Sequence, residues 1–221
     1  MRILLINGSP RRGTANSRIV LDALRSRSGE GHEYRMVETM IAGGASPEDL
    51  DADFIVLAFP LYIDCLHSKL LSWLLSYEAL RRAAAAQGGP APSGPPSNGA
   101  KRRAGMIAVA NCGFHEGIQN KTALDIVANF CARAGIEWRG GLGIGTGEML
   151  REMKGAPDGM FIKRPVSRAL DSIASRVGEG PVPAGNLYAS HGFPWAAFKA
   201  MGHLGWRKMA KANGVGRRQM K

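Results

Sequence analysis

Small, hydroxyl-bearing and basic residues follow the first apolar run of the chain. Residues 7–17 read NGSPRRGTANS. Such a loop wraps closely around an anion, and a helix that begins after it directs its first N–H groups to the same point. The candidate phosphate-binding residues are Ser9, Arg11, Arg12, Thr14, Asn16 and Ser17. The alternative is a plain turn in which Thr14 or Asn16 caps the helix.

This loop differs from two common nucleotide-binding motifs. It lacks the Gly-Lys-Ser/Thr ending of an ATP-binding loop, and its glycines do not have the G-x-G-x-x-G spacing of dinucleotide sites. The sequence therefore argues against ATP hydrolysis and against the usual dinucleotide site.

Two later loops favour a flat ring as the ligand. Their candidate residues are Pro60, Leu61, Tyr62 and Ile63 in one loop and Asn111, Cys112, Gly113 and Phe114 in the other. Each loop follows a predicted strand, and ligands of open α/β sheets bind outside the carboxyl ends of the strands. Backbone groups of Tyr62, Ile63, Cys112 and Gly113 are the expected hydrogen-bonding partners of the ring.

These loops also have simpler interpretations. Asp64 is a candidate N-cap for the helix that follows it. His115 and Glu116 could form an acid/base pair, but such residues more often begin a helix. Cys112 has no fixed base partner in the sequence, so we expect a packed thiol rather than a nucleophile. The glycine-dense segment 140–147 indicates a backbone that approaches the ligand.

Apolar runs alternate with helical patterns along the chain. Strands are predicted at residues 2–7, 34–37, 53–59, 105–111 and 136–143. Helices are predicted at residues 16–26, 65–82, 118–134 and 165–177, with Gly135 as the left-handed end of the third. This alternation predicts a parallel sheet with helices on both faces.

Composition narrows the class of protein. The net charge of +11 favours anionic partners, but no basic stripe with interleaved aromatic residues is present, so a solvated basic surface is expected. The cysteines at 65, 112 and 131 form no CxxC pair, which argues against a disulfide framework and against a metal site. The first apolar run is too short for a secretory signal, and we expect a cytoplasmic protein.

Residues 8–17 resemble the GSPR-type FMN-phosphate loop of the flavodoxin-like NAD(P)H-dependent FMN reductases. Residues 59–64 and 110–114 look like the second and third flavin loops of that family. The resemblance covers residues 1–177 apart from an insertion at 87–100. It implies an α/β flavodoxin-like three-layer sandwich with a five-stranded parallel sheet of order 2-1-3-4-5, non-covalent FMN, and a homodimer or homotetramer.

The same resemblance implies the activity. In that family NAD(P)H delivers hydride to the flavin, which reduces quinones, nitro or azo compounds, or free flavin. No dedicated catalytic residue is needed, because the cofactor performs the chemistry. The chain has no cysteine cluster of the iron–sulfur flavoproteins that share this loop, so no iron–sulfur centre is expected.

We expect one domain at residues 1–180, with 87–100 as a flexible surface insertion, and a basic amphipathic extension at 181–221. The extension could pack on its own domain or on a dimer mate, cover the flavin, or make weak contact with an anionic membrane surface.

Two other functions are open from the sequence. A non-enzymatic flavodoxin-type electron carrier would have the same loops, but such carriers tend to be acidic, and the charge of +11 favours the enzyme. A basic regulatory protein that binds nucleic acid is a weaker hypothesis, which salt-dependent DNA retention without flavin would support; we expect no nucleic-acid partner.

Overall fold

The computed structural model describes residues 1–11, 13–87, 103–178 and 185–215. Contacts divide the chain into two units, Met1–His191 and Gly192–Lys221. The phosphate candidate Arg12 and the insertion predicted at 87–100, apart from its first residue, lie outside the described residues.

The first unit is built on a six-stranded sheet. The strands are β1 (Arg2–Asn7), β2 (Glu33–Glu38), β3 (Phe54–Pro60), β4 (Gly105–Asn111), β5 (Glu137–Ile144) and β6 (Leu187–Ala189). Their order is β2-β1-β3-β4-β5-β6, and each neighbouring pair is parallel. The predicted flavodoxin-like α/β fold is confirmed, and one strand is added to the predicted order.

Helices cover both faces of this sheet. They are α1 (Asn16–Arg27), α2 (Ser68–Ala86), α3 (Lys121–Ala134), α4 (Met149–Glu152) and α5 (Arg164–Ala174), with short 3-10 helices at Pro47–Asp51 and Gly117–Asn120. The core on one face joins α2 and α3 to the sheet, and the core on the other joins α1 and α5 to it.

β3 shows why the apolar runs form central strands. Ile55, Leu57 and Phe59 point into the α2–α3 core, whereas Phe54, Val56 and Ala58 point into the α1–α5 core. Both faces of the strand are buried, so its sequence has no polar alternation.

Two of the differences from the predicted boundaries lie close to the carboxyl edge of the sheet. The sheet continues into residues that we expected in the C-terminal extension, because Leu187–Ala189 pairs with the end of β5. α2 begins at Ser68 rather than at residue 65, and its N-cap is His67, whose ring accepts a hydrogen bond from the Lys69 N–H. Asp64 is therefore not the cap; it lies in a tight turn before the helix.

Gly135 ends α3 in the left-handed conformation, with φ 65°, as predicted. A side chain at this φ is strained, so Gly135→Ala should lower the free energy of unfolding by about 1 kcal/mol in urea denaturation. Gly155 is the matched control, because its φ is not in the left-handed region and a Cβ there would meet open space. Equal effects at both positions would contradict this explanation.

The second unit contains α6 (Trp195–Ala212), in which every residue is at least partly exposed. None of the helices in the described parts of the chain is long and apolar enough to cross a bilayer.

Candidate functional site

Four loops meet at the carboxyl edge of the parallel sheet. They follow β1, β3, β4 and β5, and backbone hydrogen bonds tie them to neighbouring strand ends and to one another. Gly8 N–H donates to Ala58 O at 2.8 Å, and Leu61 N–H donates to Asn111 O at 2.8 Å. Gly147 N–H donates to Cys112 O at 2.8 Å. The candidate residues after β1, β3 and β4 are therefore parts of one connected edge.

Ser9 organises the first of these loops. Its N–H donates to Asn7 Oδ1 at 3.1 Å, and its Oγ accepts from Arg11 N–H at 3.2 Å. Ser9 is buried, whereas Arg11 and Thr14 are exposed. The loop thus has a fixed base and an exposed, basic rim.

The N-terminus of α1 lacks the usual caps. Its N-cap is Ala15, and no side chain of the described residues makes a capping hydrogen bond there. The first turn has no acidic residue. Neither Thr14 nor Asn16 caps the helix, so the capping role that the plain-turn alternative gives them is wrong. The first turn of α1 therefore supplies no acidic side chain to the positive end of its own dipole.

Two polar atoms in this first turn are buried without a hydrogen-bond partner among the described residues. They are Ser17 Oγ and Asn16 Oδ1, and Ser17 is only 1% exposed. Buried polar atoms in native proteins nearly always have partners, from the protein, from water or from a ligand. An oxyanion fits the hydroxyl and the uncapped N–H groups, and a ligand hydroxyl fits the amide oxygen.

Asn16 has a second role that the sequence did not suggest. Its Nδ2 donates to Gly147 O at 2.9 Å, which ties the start of α1 to the loop after β5. One of its two N–H bonds is therefore used within the protein, and one remains for a ligand.

The loop after β3 is a tight turn closed by two hydrogen bonds between Tyr62 and Cys65. Ile63 and Asp64 at its tip have φ values of 47° and 55°. A β-branched residue in this region is strained, and such strain is concentrated at functional sites. The Ile63 side chain is 99% exposed and that of Tyr62 44%. Pro60 and Leu61, which precede the turn, are half-buried.

The loop after β4 presents one exposed aromatic ring on a fixed backbone. Asn111 is buried, and its Nδ2 donates to Phe59 O at 3.0 Å. Gly113 is exposed, and Phe114 is 54% exposed. Because Pro60 and Asn111 are register partners, exposed aromatic side chains follow two neighbouring strands.

Two of the four backbone groups expected to hold a ring already have protein partners. Tyr62 N–H donates to Cys65 O, and Cys112 N–H donates to Ile144 O. This leaves Ile63 and Gly113 as the backbone candidates.

Cys112 is a packed thiol, as expected. It is 4% exposed, and Asn120 Nδ2 donates to its Sγ at 3.3 Å. Burial raises the pKa of the Cys112 thiol, which keeps it protonated and poorly nucleophilic.

His115 Nδ1 lies 4.0 Å from Glu116 Oε1, and Glu116 precedes the 3-10 helix Gly117–Asn120.

The glycines between 140 and 147 have a different role from the one predicted. Most of them lie within β5, and the others lie against the loop after β4. A Cβ on Gly143 would lie 2.5 Å from Gly117 O, and one on Gly147 would lie 2.8 Å from Cys112 O. These glycines therefore admit a neighbouring backbone of the protein itself.

Arg151 is a candidate that sequence reasoning missed. Its guanidinium donates to Thr14 O at 3.4 Å, across 137 positions of sequence, which no local pattern could reveal. Arg18, also close to this loop, is paired with Asp22 at 3.1 Å and with Glu38 at 3.4 Å. Arg11 and Arg151 are therefore the described arginines best placed to neutralise an anion.

His191 contacts the loop after β5 through Thr146. It is 3% exposed, and Thr146 Oγ1 lies 3.0 Å from both its backbone nitrogen and its Nδ1. Thr146 itself has φ 53°. The ring of His191 also lines a cavity of about 300 Å³ together with residues of α1 and α5. Burial, with a smaller contribution from the Lys163 charge, lowers the pKa of His191 to about 4.

This shift predicts a pH-dependent stability. Because the unfolded chain binds the His191 proton near pH 6.5 and the folded chain only near pH 4, stability is retained above pH 6.5 and lost as the pH falls towards 4. We expect a loss of about 2 kcal/mol between pH 7 and pH 5 that His191→Asn does not show. Urea denaturation at the two pH values measures it, and identical pH dependence of both proteins would contradict the prediction.

The described residues contain no group of three His, Cys, Asp or Glu side chains placed to hold a metal ion.

Comparisons with known proteins bear on the fold. No protein-family model matches the sequence, and no curated protein matches it. Among solved structures, an NADPH-quinone reductase from P. pentosaceus superposes with a TM-score of 0.51 at 15% identity, covering 80% of this chain and 100% of that chain.

Two further structures are similar at a lower level. An NADH:FMN oxidoreductase in its apo form gives a TM-score of 0.48 at 12% identity, covering 81% of this chain and 91% of that chain. A flavodoxin from Streptococcus pneumonia TIGR4 gives 0.45 at 12% identity, covering 70% and 95%. Sequence identities this low give information on the fold alone. Together with the sheet order described above, the superposition on the quinone reductase shows that the chain has the flavodoxin-like α/β fold.

Proposed function

We propose that this chain binds FMN at the carboxyl edge of its sheet and catalyses hydride transfer from NADH or NADPH to an organic acceptor. The acceptor classes are quinones, nitro or azo compounds, and free flavin. The observation that carries the proposal is the uncapped N-terminus of α1, with the buried Ser17 hydroxyl that has no partner among the described residues. A phosphate monoester satisfies both.

The phosphate side of the site is assigned to the loop after β1. Ser17 Oγ and the first N–H groups of α1 would hold the phosphate, and Arg11 and Arg151 would balance its charge. Asn16 Oδ1, the second unpartnered atom, suits a hydroxyl of a sugar-alcohol chain next to the phosphate. Ser9 and Thr14 supply further hydroxyls on the same loop. Because Ser17 is 1% exposed, ligand entry requires the exposed part of the loop to shift.

The ring side is assigned to the loops after β3 and β4. Tyr62 and Phe114 offer exposed aromatic faces to a flat ring, and Ile63 and Gly113 offer backbone groups to its edge. The strained φ of Ile63 fits a turn that is held ready for a ligand.

The protein would need to do little chemistry of its own. Bound flavin supplies the hydride-transfer step. The residues of the chain bind the phosphate, orient the ring and leave one ring face accessible to the nicotinamide and the acceptor. With a quinone as acceptor, one hydride from NAD(P)H and one proton from solvent yield the hydroquinone and NAD(P)⁺. The protonated, buried thiol of Cys112 is not needed in this scheme.

Acceptor-dependent oxidation of NADPH or NADH by the FMN-loaded chain tests the enzyme against the electron carrier. We expect added quinone to accelerate nicotinamide oxidation, and Ser17→Asp, which places a negative charge in the phosphate site, to abolish both flavin retention and activity. Retained flavin with no stimulation by any acceptor class would identify a carrier instead. Gel filtration of the same preparation tests the homodimer or homotetramer that the resemblance implies.

A further inference from the structure

α6 and the sequence around it have an unusual charge pattern. The helix contains Lys199, Arg207, Lys208 and Lys211 and no acidic residue. The sequence has no Asp or Glu at all after Glu179, over 42 residues that contain seven Lys and Arg. A segment with one sign of charge over this length is complementary to an anionic surface.

The large apolar residues of α6 other than Leu204 share one side of the helix. At 100° per residue, Met201, Phe198, Met209, Trp195 and Trp206 fall within an arc of about 140°, together with Gly202 and Gly205. Trp195 is 56% exposed, Trp206 66% and Met209 57%. The four basic residues lie outside this arc, so the helix is amphipathic.

Lys199 lies at the border of the two faces. Its Nζ is 5.1 Å from the centre of the Trp195 ring. An ammonium over an indole face is a cation–π contact, so a cation is held beside the Trp195 ring at the edge of the apolar face. Tryptophan itself favours a membrane–water interface, because its ring is apolar and its N–H is polar.

We propose that α6 binds the surface of an anionic phospholipid bilayer, with Trp195, Trp206 and Met209 inserted between the lipids and Lys199, Arg207, Lys208 and Lys211 at the headgroups. The helix lies along the surface rather than across it, since it does not meet the length and hydropathy of a membrane span. The apolar face of α6 lies beside its basic residues, and this favours lipid over nucleic acid as the ligand. A nucleic acid would contact the basic residues alone. The proposal does not rest on FMN binding.

Co-sedimentation of the full chain with vesicles tests this. We expect pelleting with phosphatidylglycerol–phosphatidylcholine vesicles, little pelleting with phosphatidylcholine alone, and loss of binding in high salt. Trp206→Ala should lower the partition coefficient about tenfold, and Lys208→Glu about fivefold or more. Leu204→Ala is the matched control, because Leu204 is 63% exposed but lies opposite the apolar arc; it should change binding less than about twofold.

A second readout separates insertion from charge attraction. Lipids brominated on their acyl chains should quench the tryptophan fluorescence of the full chain but not that of Trp206→Ala to the same extent. Equal pelleting of Trp206→Ala and the unchanged chain would overturn the proposal. So would salt-sensitive DNA retention without vesicle binding, or a self-association that Trp206→Ala abolishes while vesicles stay unbound.

Discussion

Ser17→Ala should weaken FMN binding by about ten- to a hundredfold, the range for a lost hydrogen bond to a charged group. The same change should leave the stability of the ligand-free chain unchanged or raise it by up to about 1 kcal/mol. The two effects have opposite signs because the Ser17 hydroxyl is buried without a partner among the described residues. A hydroxyl with a purely structural role would behave in the reverse way.

Fluorescence titration with FMN and urea denaturation of the ligand-free chain measure these two quantities. Ser26→Ala is the matched control in the last turns of α1, where the hydroxyl is exposed and donates to Asp22 O at 3.0 Å. It should change FMN affinity less than about twofold. If Ser17→Ala destabilised the ligand-free chain and left FMN affinity unchanged, Ser17 would not be a phosphate ligand.

Gly145→Ala should lower the free energy of unfolding by about 3 kcal/mol, because it places a methyl group inside a backbone contact. A Cβ at this position would lie 2.7 Å from Glu116 C and 2.7 Å from Gly117 N, and backbone atoms cannot move aside as a flexible side chain can. The loops after β4 and β5 would have to separate, so FMN affinity should fall as well.

Gly113→Ala provides the comparison in the loop after β4. A Cβ on Gly113 would meet nothing within 4 Å, and its effect on stability should stay within about 0.5 kcal/mol. If Gly145→Ala does not fold, Gly147→Ala supplies a milder clash, 2.8 Å from Cys112 O. A Gly145→Ala chain as stable as Gly113→Ala would contradict the packing described for these loops.

The fold was largely predictable because its strands are buried on both faces. A run such as Phe54–Pro60 can hardly be anything but a central strand, since it has no polar face to expose. β6 was not predicted, because its three residues, Leu187–Ala189, are too few to show a pattern of alternating apolar and polar side chains. It is placed by pairing with β5, which is a tertiary effect.

The candidate site was predictable in its location but less so in its contacts. Topology alone brings the loops after β1, β3 and β4 to one edge. Some donors of these loops are already bonded within the protein, and their partners lie far away in the sequence. Asn16 donates to Gly147 O and Arg151 donates to Thr14 O, both across 131 residues or more, so the sequence alone does not show these contacts.

The glycines in and after β5 are a second case in which the sequence does not identify the contact partner. Their density predicts a close backbone approach, but a sequence does not say whether a ligand or another part of the protein comes close. The contacts of Gly143 and Gly147 are with the protein's own loop after β4.

We propose above that the uncapped start of α1 holds the phosphate of FMN. The most direct measurement is the absorption spectrum of the purified chain after incubation with FMN and removal of unbound cofactor. We predict the maxima of oxidised flavin at about one FMN per chain. A colourless chain that cannot be reconstituted with FMN, although it is folded, would contradict the claim.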